Sequence, residues 1–158
     1  MENIDRDFLY ATSAEALISV ARGAAERDLV PLESPGELGG EKVAVVVGLV
    51  TREPGKKGRF LLEMDQGLAE DLTEGMNGGP LDDATELYLF SGELLNMVGG
   101  KALTVINNRY RGLEYRLTPP AIFAGKGLEI LTPLVRSQVT WYRGARGVAR
   151  FDVGFEGV

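Results

Sequence analysis

The sequence predicts an α+β fold: a mostly antiparallel sheet packed against two longer helices and one short helix. Three observations carry this. Helical and extended patterns come in blocks instead of alternating as strict βαβ units. The run from Val43 to Val50 is valine-rich and nearly continuous in apolar character, as suits a strand central in a sheet. Two extended runs near the end, 135–142 and 148–155, are separated by the turn-length Arg143-Gly144-Ala145-Arg146-Gly147, which reads as a hairpin. A chain of 158 residues can bury a sizeable core, so one domain is expected over 1–158, with its core from about 14 to 155.

In order along the chain, Ala14 to Asp28 reads as a helix. Ala16, Leu17, Val20, Ala21, Ala24 and Ala25 form its apolar face, and Ser13 is the expected N-cap. Leu29 to Gly40 holds two prolines and three glycines and reads as a loop. The valine-rich strand, Lys42 to Thr51, turns through Glu53-Pro54-Gly55-Lys56-Lys57-Gly58 into a returning strand, Arg59 to Met64. Asp65 is the expected cap of a short helix, Gln66 to Met76, ended by Asn77-Gly78-Gly79-Pro80. A long helix follows, from about Asp82 to Asn107. Beyond it, Glu114 to Leu117 and Ala121 to Ala124 are extended, separated by Thr118-Pro119-Pro120, where proline removes ladder donors. No sequence repeat, low-complexity segment or linker is evident.

The long helix carries the most informative stretch, Ser91-Gly92-Glu93-Leu94-Leu95-Asn96-Met97-Val98-Gly99-Gly100. At about 100° per residue, Leu87, Phe90, Met97, Val98, Ala102 and Val105 fall within about 80° of Leu94 and form a core stripe. Glu93, Asn96 and Gly100 cluster roughly 120° round from it. A Glu and an Asn on the solvent side of a helix are commonplace. Asn96, Gly92, Gly99 and Gly100 are nevertheless poor helix formers, the glycines by about 1 kcal/mol each. Close approach of a partner or of another backbone is the physical reason to keep them.

Composition excludes several chemistries. With no cysteine and no histidine there is no disulfide, no thiolate nucleophile, no imidazole base and no His-bound zinc. No run approaches the roughly 18 apolar residues of a membrane span. The acidic start, Met1 to Asp7, lacks the basic region of a signal peptide, so a cytoplasmic location is expected. A net charge of −6 disfavours a nucleic-acid partner.

The segment Gly92 to Ala102 resembles the signature helix of the CheC/CheX family of chemotaxis phosphatases. Leu117-Thr118-Pro119-Pro120-Ala121-Ile122-Phe123-Ala124-Gly125 is similar to the family's Thr-Pro-Pro…Gly strand, and Gly75-Met76-Asn77-Gly78-Gly79 to the glycine-rich end of its preceding helix. With one Glu-x-x-Asn in the right context, the chain resembles the single-site CheX branch. Glu74-Gly75-Met76-Asn77 matches the bare pattern at a failing helix end and reads as coincidence. The resemblance implies hydrolysis of the aspartyl phosphate on a CheY-type response-regulator receiver. Asn96 would position the attacking water, since a carboxamide offers an acceptor and donors without titrating. Glu93 would pair with the receiver's active-site lysine, and Gly99 and Gly100 would clear room for its loops. Mg²⁺ would be held by the receiver, with no cofactor in this chain. A homodimer is also implied, pairing through the strand Val148 to Phe155 if it lies at an edge. The alternative is a non-catalytic module of the same fold that docks on a receiver or a flagellar-switch-type partner.

Other features read more simply. Lys56-Lys57-Gly58-Arg59 is a solvated turn, and Glu70-Asp71 and Asp82-Asp83 are a solvated face and a helix start. Trp141 and Tyr142 read as packing residues, and the acidic balance argues against a nucleic-acid strip at Arg109, Tyr110, Arg111, Tyr115 and Arg116.

Overall fold

The computed structural model describes residues 3–130 and 136–158. Among these residues the order is α1 (Arg6–Ala24), β1 (Val30–Leu32), β2 (Glu41–Val50), β3 (Lys57–Asp65), α2 (Gln66–Asn77), α3 (Ala84–Arg109), β4 (Arg116–Leu117), β5 (Ala121–Lys126), β6 (Ser137–Gly144) and β7 (Gly147–Glu156). The fold is α+β, with every strand pairing antiparallel. The sheet runs β1-β6-β7-β3-β2, and β2 carries β4 and β5 in succession on its far side.

Strand period sets the core. Val43, Val45, Val47 and Leu49 of β2 share one face with Phe60, Leu62 and Met64 of β3 and Ala149, Phe151, Val153 and Phe155 of β7, all fully buried or nearly so. They join the buried residues of all three helices in one cluster. On the other face, beside Ala44, Val46 and Leu61, charged side chains lie in matched pairs. Glu63 accepts from Lys42 Nζ at 2.8 Å and Arg150 at 3.1 Å, and Asp152 accepts from Arg59 at 3.1 Å. Neighbouring strands thus place opposite charges side by side in a shielded position.

Several sequence expectations change. The first helix begins at Arg6, not Ala14, and its cap is Asp5, whose carboxylate accepts from the Asp7 and Phe8 amides. Ser13 lies mid-helix, buried, with Oγ donating to the Leu9 carbonyl at 2.8 Å. Asp65 makes no side-chain cap on α2; its carboxylate accepts from the amides of Gly39 at 2.5 Å and Val148 at 2.8 Å. The expected loop 29–40 contains β1, which pairs with β6. The strand expected from 135 begins at Ser137; Val135 lies outside the described residues. Strand β7 sits between β6 and β3 with both edges paired, so the edge pairing expected of Val148 to Phe155 is overturned. The outer edges belong to β1 and to β4 and β5.

A repeat that the sequence did not reveal relates α1 to α3. At a constant offset of 78 positions the two caps coincide, Asp5 with Asp83. Leu9, Ser13, Ala16, Leu17, Val20 and Ala21 are buried in α1; Leu87, Ser91, Leu94, Leu95, Val98 and Gly99 are buried in α3. Even the odd feature recurs: Ser91 Oγ donates to the Leu87 carbonyl at 2.7 Å, as Ser13 does to Leu9. Both helices therefore present the same kind of inner face, and their outer faces can be compared position by position.

Candidate functional site

Helix α3 is built to hold its middle still. Asp83 caps its start, accepting from the Glu86 amide at 3.0 Å, while Glu86 accepts from the Asp82 amide at 2.7 Å. At its far end the Asn107 carboxamide grips the Tyr115 backbone twice, donating to the carbonyl at 3.0 Å and accepting from the amide at 2.9 Å. Between these ends the Thr-Pro-Pro segment presses on the inner face. A Cβ at Gly92 would meet Pro120 Cγ at 3.3 Å and Ile122 Cδ1 at 3.2 Å; one at Gly99 would meet Leu117 Cδ2 at 2.6 Å. Thr118 ties this segment to β2, its Oγ1 accepting from the Gly48 amide at 2.7 Å. The prolines that interrupt the edge thus leave β4 and β5 as two pieces, with α3 seated on the join.

The outer face carries the expected pair. Glu93 is exposed and Asn96 half-buried, three residues apart and so neighbours on one helix face. Neither side chain has a hydrogen-bond or ion-pair partner among the described residues. A Cβ at Gly100, one turn beyond Asn96, would meet nothing within 4 Å. The structure brings Glu93, Asn96 and Gly100 together and separates Gly99 from them. Gly99 is buried, and the room it clears is filled by Leu117 from inside the molecule, which corrects its expected place on a partner surface.

The core stripe also needs correction. Leu87, Leu94, Val98 and Ala102 are buried as expected, but Met97 and Val105 are 37% and 44% exposed and Phe90 is only half-buried. The buried face is instead turned toward Ser91, Leu95 and Gly99, the side on which Leu117, Pro120 and Ile122 pack against the two glycines. Sequence reasoning passed over Leu89, 66% exposed and one turn before Glu93. Its signal was present: a leucine where the polar face should continue.

The remaining candidates have structural work. Glu74 lies 3.6 Å from Arg146 in an ion pair, and the Asn77 amide donates to the Gly79 and Pro80 carbonyls, so the second Glu-x-x-Asn is part of a helix end. Arg109 sits over the Phe8 ring at 4.2 Å, and Tyr110 and Tyr115 are buried, which breaks up the basic strip. Burial pushes the Tyr115 phenol up to about 12, with Arg6 pulling weakly the other way. Burial also raises Tyr142, opposed by the hydrogen bond from Thr140. Among the described residues no group of three or more carboxylates could hold a metal ion, and no helix is long and apolar enough to cross a membrane.

Glu93 and Asn96 stand on the outer face of α3, away from the clefts lined by Arg52, Asn107, Arg111 and Arg116, by Glu15, Ile18 and Arg22, and by Gln66, Glu70 and Asp83.

The sequence model of the family described as chemotaxis phosphatase CheX matches residues 43–142, which include the whole of α3 and the Thr-Pro-Pro segment. The chain belongs to that family. No curated protein sequence matches it. Solved structures of CheX proteins share its fold. The chemotaxis protein CheX from Vibrio vulnificus superposes with a TM-score of 0.81 at 23% identity, covering 98% of this chain and 100% of its own. A CheC-like superfamily protein from Shewanella gives 0.80 at 24%, with the same coverage. The CheX–CheY–BeF₃–Mg²⁺ complex from Borrelia burgdorferi gives 0.74 at 21%, covering 98% of this chain and 99% of the matched one. Phosphatase chemistry is therefore the family's theme.

Proposed function

We propose that this CheX-family chain hydrolyses the aspartyl phosphate of a CheY-type receiver domain, with Asn96 aiming the water and Glu93 fixing the docked partner. The observation that carries this is the Glu93–Asn96 pair, without a hydrogen-bond or ion-pair partner among the described residues, on the outer face of a firmly held helix beside the gap at Gly100. An acyl phosphate already has a good leaving group, so it needs an aligned water more than a strong base. Asn96 accepts a hydrogen bond from that water or donates to it. The water oxygen attacks phosphorus in line, the bond from phosphorus to the aspartyl oxygen breaks, and the products are the free carboxylate and inorganic phosphate. Glu93 supplies one negative charge for the lysine of the receiver's active site. Mg²⁺ would be held by the receiver, where it would offset the negative charge of the phosphoryl group. The Borrelia relative's complex with CheY supports a receiver as the partner class.

A panel of receivers phosphorylated with a small phosphodonor tests this. One or more should lose phosphate faster when the protein is added. No acceleration for any receiver, with binding retained, would leave a docking module and overturn the catalytic reading. The same proposal includes a homodimer, now assigned to the outer edge of β5, where Phe123 is 43% exposed. Sedimentation equilibrium should give twice 17.1 kDa at tens of micromolar, roughly the range in which weak pairs still associate. A mass of 17.1 kDa there would overturn it.

A further inference from the structure

We propose that Leu89 and Met97 form an apolar clamp on either side of Glu93 that grips the receiver and sets the affinity of the complex; this rests on the receiver-phosphatase reading above. Leu89 lies one turn before Glu93 and Met97 one turn after it, so the three side chains run along the outer face of α3. Leu89 is 66% exposed in the second turn of a 26-residue helix, on the face where polar residues are the rule.

Charge selects the occupant. From Leu87 to Gly100 the sole charge is Glu93. A surface with one carboxylate between two apolar side chains matches a partner with one cation inside an apolar rim. The receiver lysine that Glu93 is proposed to meet supplies that one cation. The surface does not match a broadly basic or acidic partner, which would meet a mostly uncharged stripe. The companion helix sharpens the point. At the equivalent positions α1 has Ala11 and Ser19, so it keeps a carboxylate at Glu15 but has small side chains where the clamp would be. A leucine and a methionine therefore flank the carboxylate on the helix that carries the carboxamide, and small residues flank it on the helix that lacks it.

The clamp should act on binding and leave the chemical step alone. Leu89→Gln and Met97→Gln preserve helix propensity and size while removing apolar contact. Titration with a beryllofluoride-loaded receiver should show affinity falling about tenfold for Leu89→Gln, as expected for losing much of a leucine's burial, and less for Met97→Gln. The slope of affinity against salt should match wild type, because no charge is changed. Single-turnover hydrolysis at saturating protein should also be unchanged. Ala11→Gln on α1 should alter neither quantity. If wild type binds and hydrolyses while Leu89→Gln binds equally well, the clamp is overturned and the phosphatase reading survives. If wild type neither binds nor hydrolyses any receiver, both fall together.

Discussion

Helices α1 and α3 bury equivalent residues and expose different ones. Inside, both are capped by Asp, both place a buried serine against the preceding turn, and both set small or branched residues on the sheet. Outside, α1 offers Glu15, Ile18 and Arg22, where α3 offers Glu93, Asn96 and Gly100. The carboxylate is common to both. The carboxamide is found only on α3, and α1 fills the gap with an arginine that pairs with Asp28 at 3.1 Å. Packing constrains one face of a helix, and chemistry is free to differ on the other. Two helices with the same role in the fold can therefore differ wholly in function.

Substitutions at matched positions probe that contrast. The largest effect is expected from Asn96→Ala, which should lower receiver dephosphorylation by on the order of a hundredfold or more. Stability should hold, since alanine is the better helix former at a half-exposed site. Ile18→Ala, its counterpart on α1, should leave turnover unchanged; equal losses from the two would erase the distinction. Next comes Gly99→Ala, which makes α3 like α1 at Ala21. With Leu117 Cδ2 only 2.6 Å from the new methyl, it should cost about 1–3 kcal/mol in denaturant unfolding. An increase in stability would mean that Leu117 gives way freely.

Smaller effects follow. Glu93→Gln should weaken receiver binding by roughly 1 kcal/mol at low ionic strength and less in high salt, while Glu15→Gln should do nothing. Ser13→Ala and Ser91→Ala should shift stability by less than about 1 kcal/mol, by similar amounts and in the same direction, because each loses the same hydrogen bond to the preceding turn. The last effect lies where α3 joins β4. Tyr115 is held protonated in the fold, so the unfolded phenol ionises first as pH rises past its ordinary 10.0. Stability should fall between pH 10.0 and about 12 and level off beyond. Tyr115→Phe should remove that part of the fall, measured by thermal unfolding across the range.

Much of the fold was legible because period reports burial directly. The valines of β2, the hairpin of β6 and β7 and the long α3 all follow from spacing. What was hidden depended on contacts between distant segments. Val30-Pro31-Leu32 is too short to read as a strand until β6 lies beside it. Residues 6–13 carry Arg6, Asp7, Tyr10 and Thr12 among their apolar positions, which masked the first turns of α1. The repeat went unseen because it resides in burial more than in identity. At the candidate site, Glu93 and Asn96 were legible from helix angle and resemblance. The fate of Gly99 was not, since the side chain that it accommodates comes from Leu117, after a turn. Leu89 was legible in principle as a leucine on a polar face.

The most direct measurement is a structure of the complex with a receiver carrying beryllofluoride and Mg²⁺. Helix α3 should enter the receiver's cleft, with the Asn96 carboxamide about 3 Å from a water lying in line with the beryllium–oxygen bond and Glu93 on the lysine. A receiver seated on α1, or seated on α3 with Asn96 turned away from that water, would contradict the assignment.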